Sequence, residues 1–195
     1  MANTAGFREL LANEFAPYGK LSARQLDQLE EHYRLLEQWN ARMNLTRIRH
    51  LEEIVRLHYC ESLFLGTVLP RGPLSVADVG SGAGFPGIPL AIIRPECKIA
   101  LIESHQRKAV FLREASRSVA NVRVIDIRAE EVQESFDWAI SRAVKPDEVM
   151  GLGLAPRIAL LVGRGDSDRV QGEKVSIPWS QDRFIIIVPR GTSSR

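Results

Sequence analysis

Twelve residues constrain this chain more than any others: Val76-Ala77-Asp78-Val79-Gly80-Ser81-Gly82-Ala83-Gly84-Phe85-Pro86-Gly87. An apolar run passes through a carboxylate and ends in four glycines spaced over eight positions. Glycine accepts positive φ and has no Cβ, so such a turn brings bare backbone up to a ligand. It needs a strand behind it and a helix ahead. The sequence supplies both, repeatedly. Short apolar runs at 74–79, 98–102, 122–126, 137–141 and 157–162 alternate with helical stretches at 87–94, 105–119 and 146–153. That alternation predicts a parallel sheet with helices on both faces. Two further extended runs, 174–179 and 183–188, are joined by a short polar loop and read as an antiparallel hairpin.

The first 70 residues have a different rhythm. Ser22 and Gln25 have capping-box spacing, and Leu26, Leu29, Tyr33, Leu36 and Met43 recur at helical intervals, which predicts a helix over 22–42. A polar, basic connector covers 42–50. A second helix is expected over 51–69, stopped by Pro70-Arg71-Gly72-Pro73. The chain therefore divides into a helical N-terminal extension, 1–70, and an α/β ligand-binding domain, 71–195. At 195 residues and 45% hydrophobic, it can bury a full core without disulfides or metals. No apolar run is long enough for a membrane span; the best, Val79 to Ile93, is broken by Gly and Pro. The charged N-terminal stretch lacks the apolar core of an export signal, so a cytoplasmic protein is expected, and a monomer. Cys60 and Cys97 are too few for a zinc site, so no metal is expected and both read as buried thiols. With a net charge of only +2 and no basic tail, nucleic-acid binding has to be argued from particular residues.

Two ligand patterns overlap in the glycine turn. Gly82, Gly84 and Gly87 satisfy GxGxxG, the dinucleotide fingerprint. Asp78, Gly80, Gly82 and Gly84 satisfy D-x-G-x-G-x-G, the pattern of class I S-adenosyl-L-methionine (AdoMet) methyltransferases. A merely tight turn is the bland alternative, and glycines so placed weigh against it. Glu103 ends the next strand 19 residues after Gly84. An acid there accepts hydrogen bonds from both ribose hydroxyls, which suits NAD and AdoMet equally. Three features favour AdoMet. Asp78 would meet the ammonium of a methionine moiety and would repel a pyrophosphate. Pro86 and Pro89 remove N–H donors that a pyrophosphate would use. The closing hairpin suits a methyltransferase sheet. Ala129 and Glu130 come after the third strand, where that loop would lie over an adenine; an ordinary acidic helix start is an equal reading. Arg142 ends the fourth strand, in the crevice where parallel sheets bind ligands.

At this level of detail the chain resembles a known family, the bacterial small-subunit ribosomal RNA guanine-N7 methyltransferases (RsmG, or GidB). Trp39-Asn40 with Met43-Asn44-Leu45-Thr46 is similar to the family's N-terminal signature, and His58-x-x-Glu61-Ser62 to a second element. The segment from Asp78 to Leu90 with its double proline, Arg94-Pro95-Glu96, Arg107-Lys108, Phe111-Leu112-Arg113 and Ile140-Ser141-Arg142-Ala143 match as well. The resemblance implies a Rossmann-like, mostly parallel sheet, AdoMet as cofactor, and 16S ribosomal RNA or the small subunit as partner. It implies that Gly80 and Phe85 contact AdoMet, that Glu103 holds the ribose, that Ala129 and Glu130 flank the adenine, and that Arg142 lies near the methyl and the target. His58, Glu61 and Ser62 would face the same cleft. One position departs: Val162-Gly163 stands where the family has Lys-Gly, with Arg164 as the nearby cation.

The chemistry so implied is spare. Guanine N7 has a lone pair and no proton, so its methylation needs no general base. Arg142 is the expected catalytic residue. An Arg fork on O6 and N7 together would block the nucleophile, so it should hold O6 or a phosphate instead. Competing readings are a small-molecule methyltransferase, an inactive assembly factor with the same fold, and an NAD enzyme. Asn44, Arg47, Arg49 and His58 lie on or after the polar connector and are placed to carry RNA; Trp39 and Leu45 read as core. Changing Arg47 and Arg49 together should flatten the salt dependence of RNA binding, measured as the slope of log affinity against log salt; an unchanged slope would remove them from the interface.

Overall fold

The computed structural model describes residues 4–189, so the outer ends of the two expected segments, 1–3 and 190–195, lie outside it. Strands β1 (Ser75–Val79), β2 (Lys98–Ile102), β3 (Val122–Ile125), β4 (Trp138–Arg142), β5 (Arg157–Gly163), β6 (Glu173–Ser176) and β7 (Arg183–Val188) form one sheet in the order β3-β2-β1-β4-β5-β7-β6. The first five pair with one another in parallel; β7 runs antiparallel to β5 and to β6. The predicted mostly parallel sheet with its closing hairpin is thus present. The expected run 174–179 is shorter as a strand, because Ile177 N–H already donates to Arg183 O and the chain turns back.

Side chains alternate across the sheet with the two-residue period of a strand. Val76, Ile99, Leu101, Trp138, Ile140, Ala159, Leu161 and Ile185 face one side; Ala77, Val79, Ala100, Ile102, Ala139, Leu160, Val162 and Ile186 face the other. The first face carries almost all the helices: α1 (Thr4–Phe15), α2 (Ala23–Met43), α3 (Leu51–Ile54), a π-helical segment (Val55–Cys60), α4 (Glu61–Val68), α5 (Gly87–Ile93) and α6 (Gln106–Ala115). Their buried residues and that sheet face make one continuous core, running from Phe7 and Leu29 through Tyr59 and Leu63 to Phe111 and Ile140. The opposite face has thinner cover, from α7 (Pro146–Gly151), Val132, Leu154 and Ala155, with α8 (Arg164–Ser167) at its edge. Among the described residues no helix is long and apolar enough to cross a membrane.

The capping box at the start of α2 is present in both halves: Ser22 Oγ accepts from Gln25 N–H, and Gln25 Oε1 accepts from Ser22 N–H. Its far end is capped by Asn44 at φ 49, and Asn40 Oδ1 takes the Thr46 N–H just beyond. Trp39 and Leu45 pack against the core, and Trp39 Nε1 donates to Glu114. Two features differ from expectation. Helix α1 was not placed by its sequence, although Phe7, Leu11 and Phe15 recur at helical spacing and are buried. Phe7 stacks on Tyr33 at 4.5 Å and meets the Tyr59 ring edge-on at 4.8 Å. The helix expected over 51–69 contains the π-helical segment, whose wider turn rotates the faces of α4 relative to those of α3. This turn carries His58 and Tyr59.

Gly87 starts α5 under tight constraint. A Cβ there would lie 2.3 Å from Leu101 Cδ2 and 2.5 Å from Asp78 Oδ2. Gly87→Ala should therefore cost about 1–3 kcal/mol of stability, read from the urea midpoint at unchanged slope. A midpoint within error of the parent would show that the turn has room to spare.

Candidate functional site

Two cavities open side by side at the C-terminal ends of the parallel strands, and both include Val144 in their walls. The first, of about 180 Å³, is bounded by Gly80, Ile102, Glu103, Ile127, Ala129, Glu130 and Leu152. The second, of about 360 Å³, lies between Ile48, Leu57, His58, Arg142, Lys145 and Arg183.

The glycine turn builds the first cavity. Gly80 and Ser81 N–H both donate to Ile102 O, at 3.0 and 3.1 Å, which folds the turn back over β2. Gly80, Gly82 and Gly84 have φ of 69, 56 and 84. At Gly80 a Cβ would come within 2.6 Å of Val144 Cγ2, so only glycine fits between the cavities without displacing that side chain. Asp78 is fully buried and anchors the turn from inside. Its Oδ2 accepts from Ser81 Oγ at 2.5 Å and from Gly87 N–H at 3.0 Å, while Oδ1 has no partner. Burial pushes this carboxyl up to about 6, against the pull of those two hydrogen bonds. Asp78 is therefore sealed beneath the turn and does not line the cavity, contrary to the expectation that it would meet a ligand ammonium directly. Glu103 Oε2 accepts from Gly82 N–H at 3.1 Å and Oε1 from His105 N–H at 2.8 Å. Each oxygen keeps a further lone pair, and the carboxylate lies in the cavity wall. A flat base between Ile102, Ile127 and Leu152, with its ribose on Glu103, fits this donor and acceptor set. The residues thus suit a nucleoside cofactor.

The second cavity is built where the helices meet β4. Arg142 Nη1 donates to Leu57 O at 2.9 Å and to His58 Nδ1 at 2.8 Å. Since Nδ1 accepts, the proton sits on Nε2, which donates to Thr46 Oγ1 at 2.8 Å. Burial, and then the Arg142 charge, lower the His58 pKa to about 2, so this imidazole is neutral. Phe85 completes the cluster. Its ring stacks on His58 at 4.8 Å, and the Arg142 guanidinium carbon sits 5.0 Å from its centroid. Phe85 is 2% exposed, so its ring supports the turn from behind and is not in the wall of the first cavity. Burial lowers the Arg142 pKa to about 10, with Glu61 opposing, and it remains a cation at neutral pH. Its Nε and Nη2 make no hydrogen bond to a described residue and are free for an acceptor.

Other expected residues are placed less uniformly. Arg47 and Arg49 are exposed on either side of Ile48; of the three, only Ile48 lines the second cavity. Asn44 is exposed as the cap of α2. Ser62 is buried, and its Oγ donates to His58 O at 2.6 Å within the helix, away from the cavity. Arg164 turns outward, donating to Asp182 at 2.7 Å and to Gln181 O at 3.0 Å, and does not line the cavity. The cation beside Val162 is Arg183, which lies opposite Gly163 in the β5–β7 register. Its Nε is 2.6 Å from Glu61 Oε1, whose carboxyl is pushed up by burial and pulled down by this partner. The sequence reading missed Arg183, because only the pairing register brings it there.

Residues 25–167 match the family described as "rRNA small subunit methyltransferase G". A protein of Roseiflexus sp. (strain RS-1) named ribosomal RNA small subunit methyltransferase G is 35% identical over 212 residues, spanning 93% of this chain and 91% of its own. One of the same name from Halorhodospira halophila is 39% identical over 167 residues, spanning 82% and 78%. In fold, the chain is similar to a SAM-dependent methyltransferase from Aquifex aeolicus, with a TM-score of 0.54 at 15% identity over 69% of this chain and 91% of that one.

The buried Asp78 makes stability depend on pH. Its pKa in the fold, about 6, lies above the ordinary 3.8. The stabilising contribution is then full below pH 3.8 and lost as pH rises through about 6, a swing of about 3 kcal/mol. The stability of Asp78→Asn relative to the parent should improve by about that amount between about pH 4 and pH 7, in paired urea titrations. A pH-independent difference would mean that the carboxyl titrates normally.

Proposed function

Because the chain belongs to the rRNA small subunit methyltransferase G family, we propose that it transfers a methyl group from AdoMet to N7 of a guanine in 16S ribosomal RNA. The observation that carries this reading is the pair of adjoining cavities, one suited to a nucleoside and the other cationic, meeting at Val144. Bound AdoMet supplies an activated methyl on a sulfonium. The chain's own residues orient the partners. Glu103 takes the ribose hydroxyls, and the apolar walls formed by Ile102 and Leu152 hold the adenine. Gly80 gives the narrowest partition between cofactor and acceptor.

The guanine has to leave its stack to enter the second cavity. There the free Nε and Nη2 of Arg142 hold O6 and leave N7 open, while Nη1 stays committed to Leu57 and His58. No residue needs to take a proton, which accords with a neutral His58 that is fully engaged in hydrogen bonds. Arg183 and Lys145 flank the bound base and suit its backbone phosphates, with Arg47 and Arg49 farther out. Alignment of this kind supplies most of the rate when the donor is already activated.

Transfer of labelled methyl from AdoMet to 16S RNA, mapped to a single 7-methylguanine, tests the assignment; labelling of a small metabolite and not of RNA would replace it. Arg142→Ala should lower kcat about a hundredfold while AdoMet affinity stays within about threefold. Equal losses in both would place Arg142 on the cofactor instead of the acceptor.

A further inference from the structure

His32, on α2, is fully buried and lines neither cavity. Its ring nevertheless joins two segments that do. Nε2 lies 3.0 Å from Ala83 O in the glycine turn, and Nδ1 lies 2.7 Å from the Tyr59 hydroxyl in the π-helical segment. A carbonyl only accepts, so Nε2 bears the proton and donates to it. Nδ1 is then bare and accepts from the Tyr59 O–H. One tautomer alone satisfies all three groups. Burial keeps the imidazole neutral, with a pKa of about 4, and raises the Tyr59 phenol well above its ordinary value. Both hydrogen bonds therefore keep their direction at neutral pH.

The same pair fills space behind the turn. A Cβ on Gly84 would come within 3.1 Å of His32 Nε2. The Phe85 ring sits 5.0 Å from His32 and 5.0 Å from Tyr59, edge-on to each. A turn with three glycines at positive φ has little stiffness of its own. Its ligand-facing side is tied to Ile102 and Glu103. On the inner side, Asp78 holds Ser81 and Gly87, and between them the Ala83 carbonyl is held by His32.

We propose that His32 and Tyr59 are positioning residues for the AdoMet site, fixing the Ala83–Phe85 side of the turn so that Gly80, Gly82 and Glu103 keep the shape the nucleoside needs. This rests on the assignment of the turn to AdoMet. It makes the N-terminal helices part of the cofactor site as well as of the acceptor cavity. Tyr59 and His58 are consecutive, so one π-helical turn serves both cavities from its two sides.

Three variants test the proposal: Tyr59→Phe, which deletes only the hydroxyl; His32→Leu, which deletes both bonds; and His32→Gln, whose amide can donate to Ala83 O and accept from Tyr59. Calorimetry with AdoMet and with its demethylated product should show dissociation constants raised about tenfold in Tyr59→Phe, the scale of one buried hydrogen bond lost, and by more than that in His32→Leu, which loses two. His32→Gln should recover to within about threefold of the parent, and affinity for a 16S RNA fragment should change less than about twofold in all three. Nitrogen-15 spectra of the ligand-free parent should show the proton of His32 on Nε2, assigned by loss of its signals in His32→Gln, and still on Nε2 in Tyr59→Phe, where Ala83 O remains its acceptor. Parent-like AdoMet affinity in Tyr59→Phe, failure of His32→Gln to recover, or a proton on Nδ1 in the parent would each overturn the positioning roles. A parent protein that binds neither AdoMet nor its product would overturn the assignment of the turn, and the proposal with it.

Discussion

A single carboxylate, Asp78, ties the first strand to the helix beyond the glycine turn. One of its oxygens takes a hydroxyl from Ser81 and a backbone N–H from Gly87, spanning the whole turn from within the core. Glycine gives the turn its permitted backbone angles but no cohesion. Asp78 provides cohesion at the cost of burying a charge with one oxygen unpartnered. That choice has geometric consequences in every direction. Gly87 is tightly constrained, because a methyl would strike Leu101 and the carboxylate. The outer edge of the turn is free to bond Ile102 and Glu103, and the exposed backbone at Gly80 becomes the partition between two cavities.

Around that turn the helical segment acts as part of the catalytic body. Its apolar side chains share one core with the sheet. Leu57 and His58 receive Arg142, while Phe85 lies between His58, Tyr59 and His32. Charges near the second cavity are balanced at short range: Arg183 pairs with Glu61, and Arg142 feels both Glu61 and Asp78. The cavity wall thus carries Arg142, Lys145 and Arg183 with the carboxylate of Asp166, and Glu61 and Asp78 lie buried beneath. Such layering holds guanidiniums in place without neutralising their outward donors.

Much of this was legible from residue order. The strands were visible as short apolar runs, and β2 came out with its limits at Lys98 and Ile102 because charged or turn residues bracket it. The glycine turn, Glu103 and Arg142 stood out because strand ends in parallel sheets are where ligands bind. The features that stayed hidden did so for physical reasons. The π-helical turn is a change in backbone hydrogen bonding, and Tyr59, Cys60 and Leu63 look equally apolar in either helix. Arg183 depends on the pairing of β7 with β5, a contact between distant segments. His32 looked like any polar residue on an amphipathic helix until the fold put Ala83 and Tyr59 on its two nitrogens. Asp78 was noticed, but its direction was misjudged: its position in the strand points it into the core, beneath the turn.

The two faces of the sheet are unequally protected. One lies under the long helices; the other is covered in part by α7, whose six residues bury only Pro146 and Val149. Glu148 and the adjoining Leu152 belong to the wall of the first cavity. The sheet therefore owes most of its apolar cover to the helices of the first face.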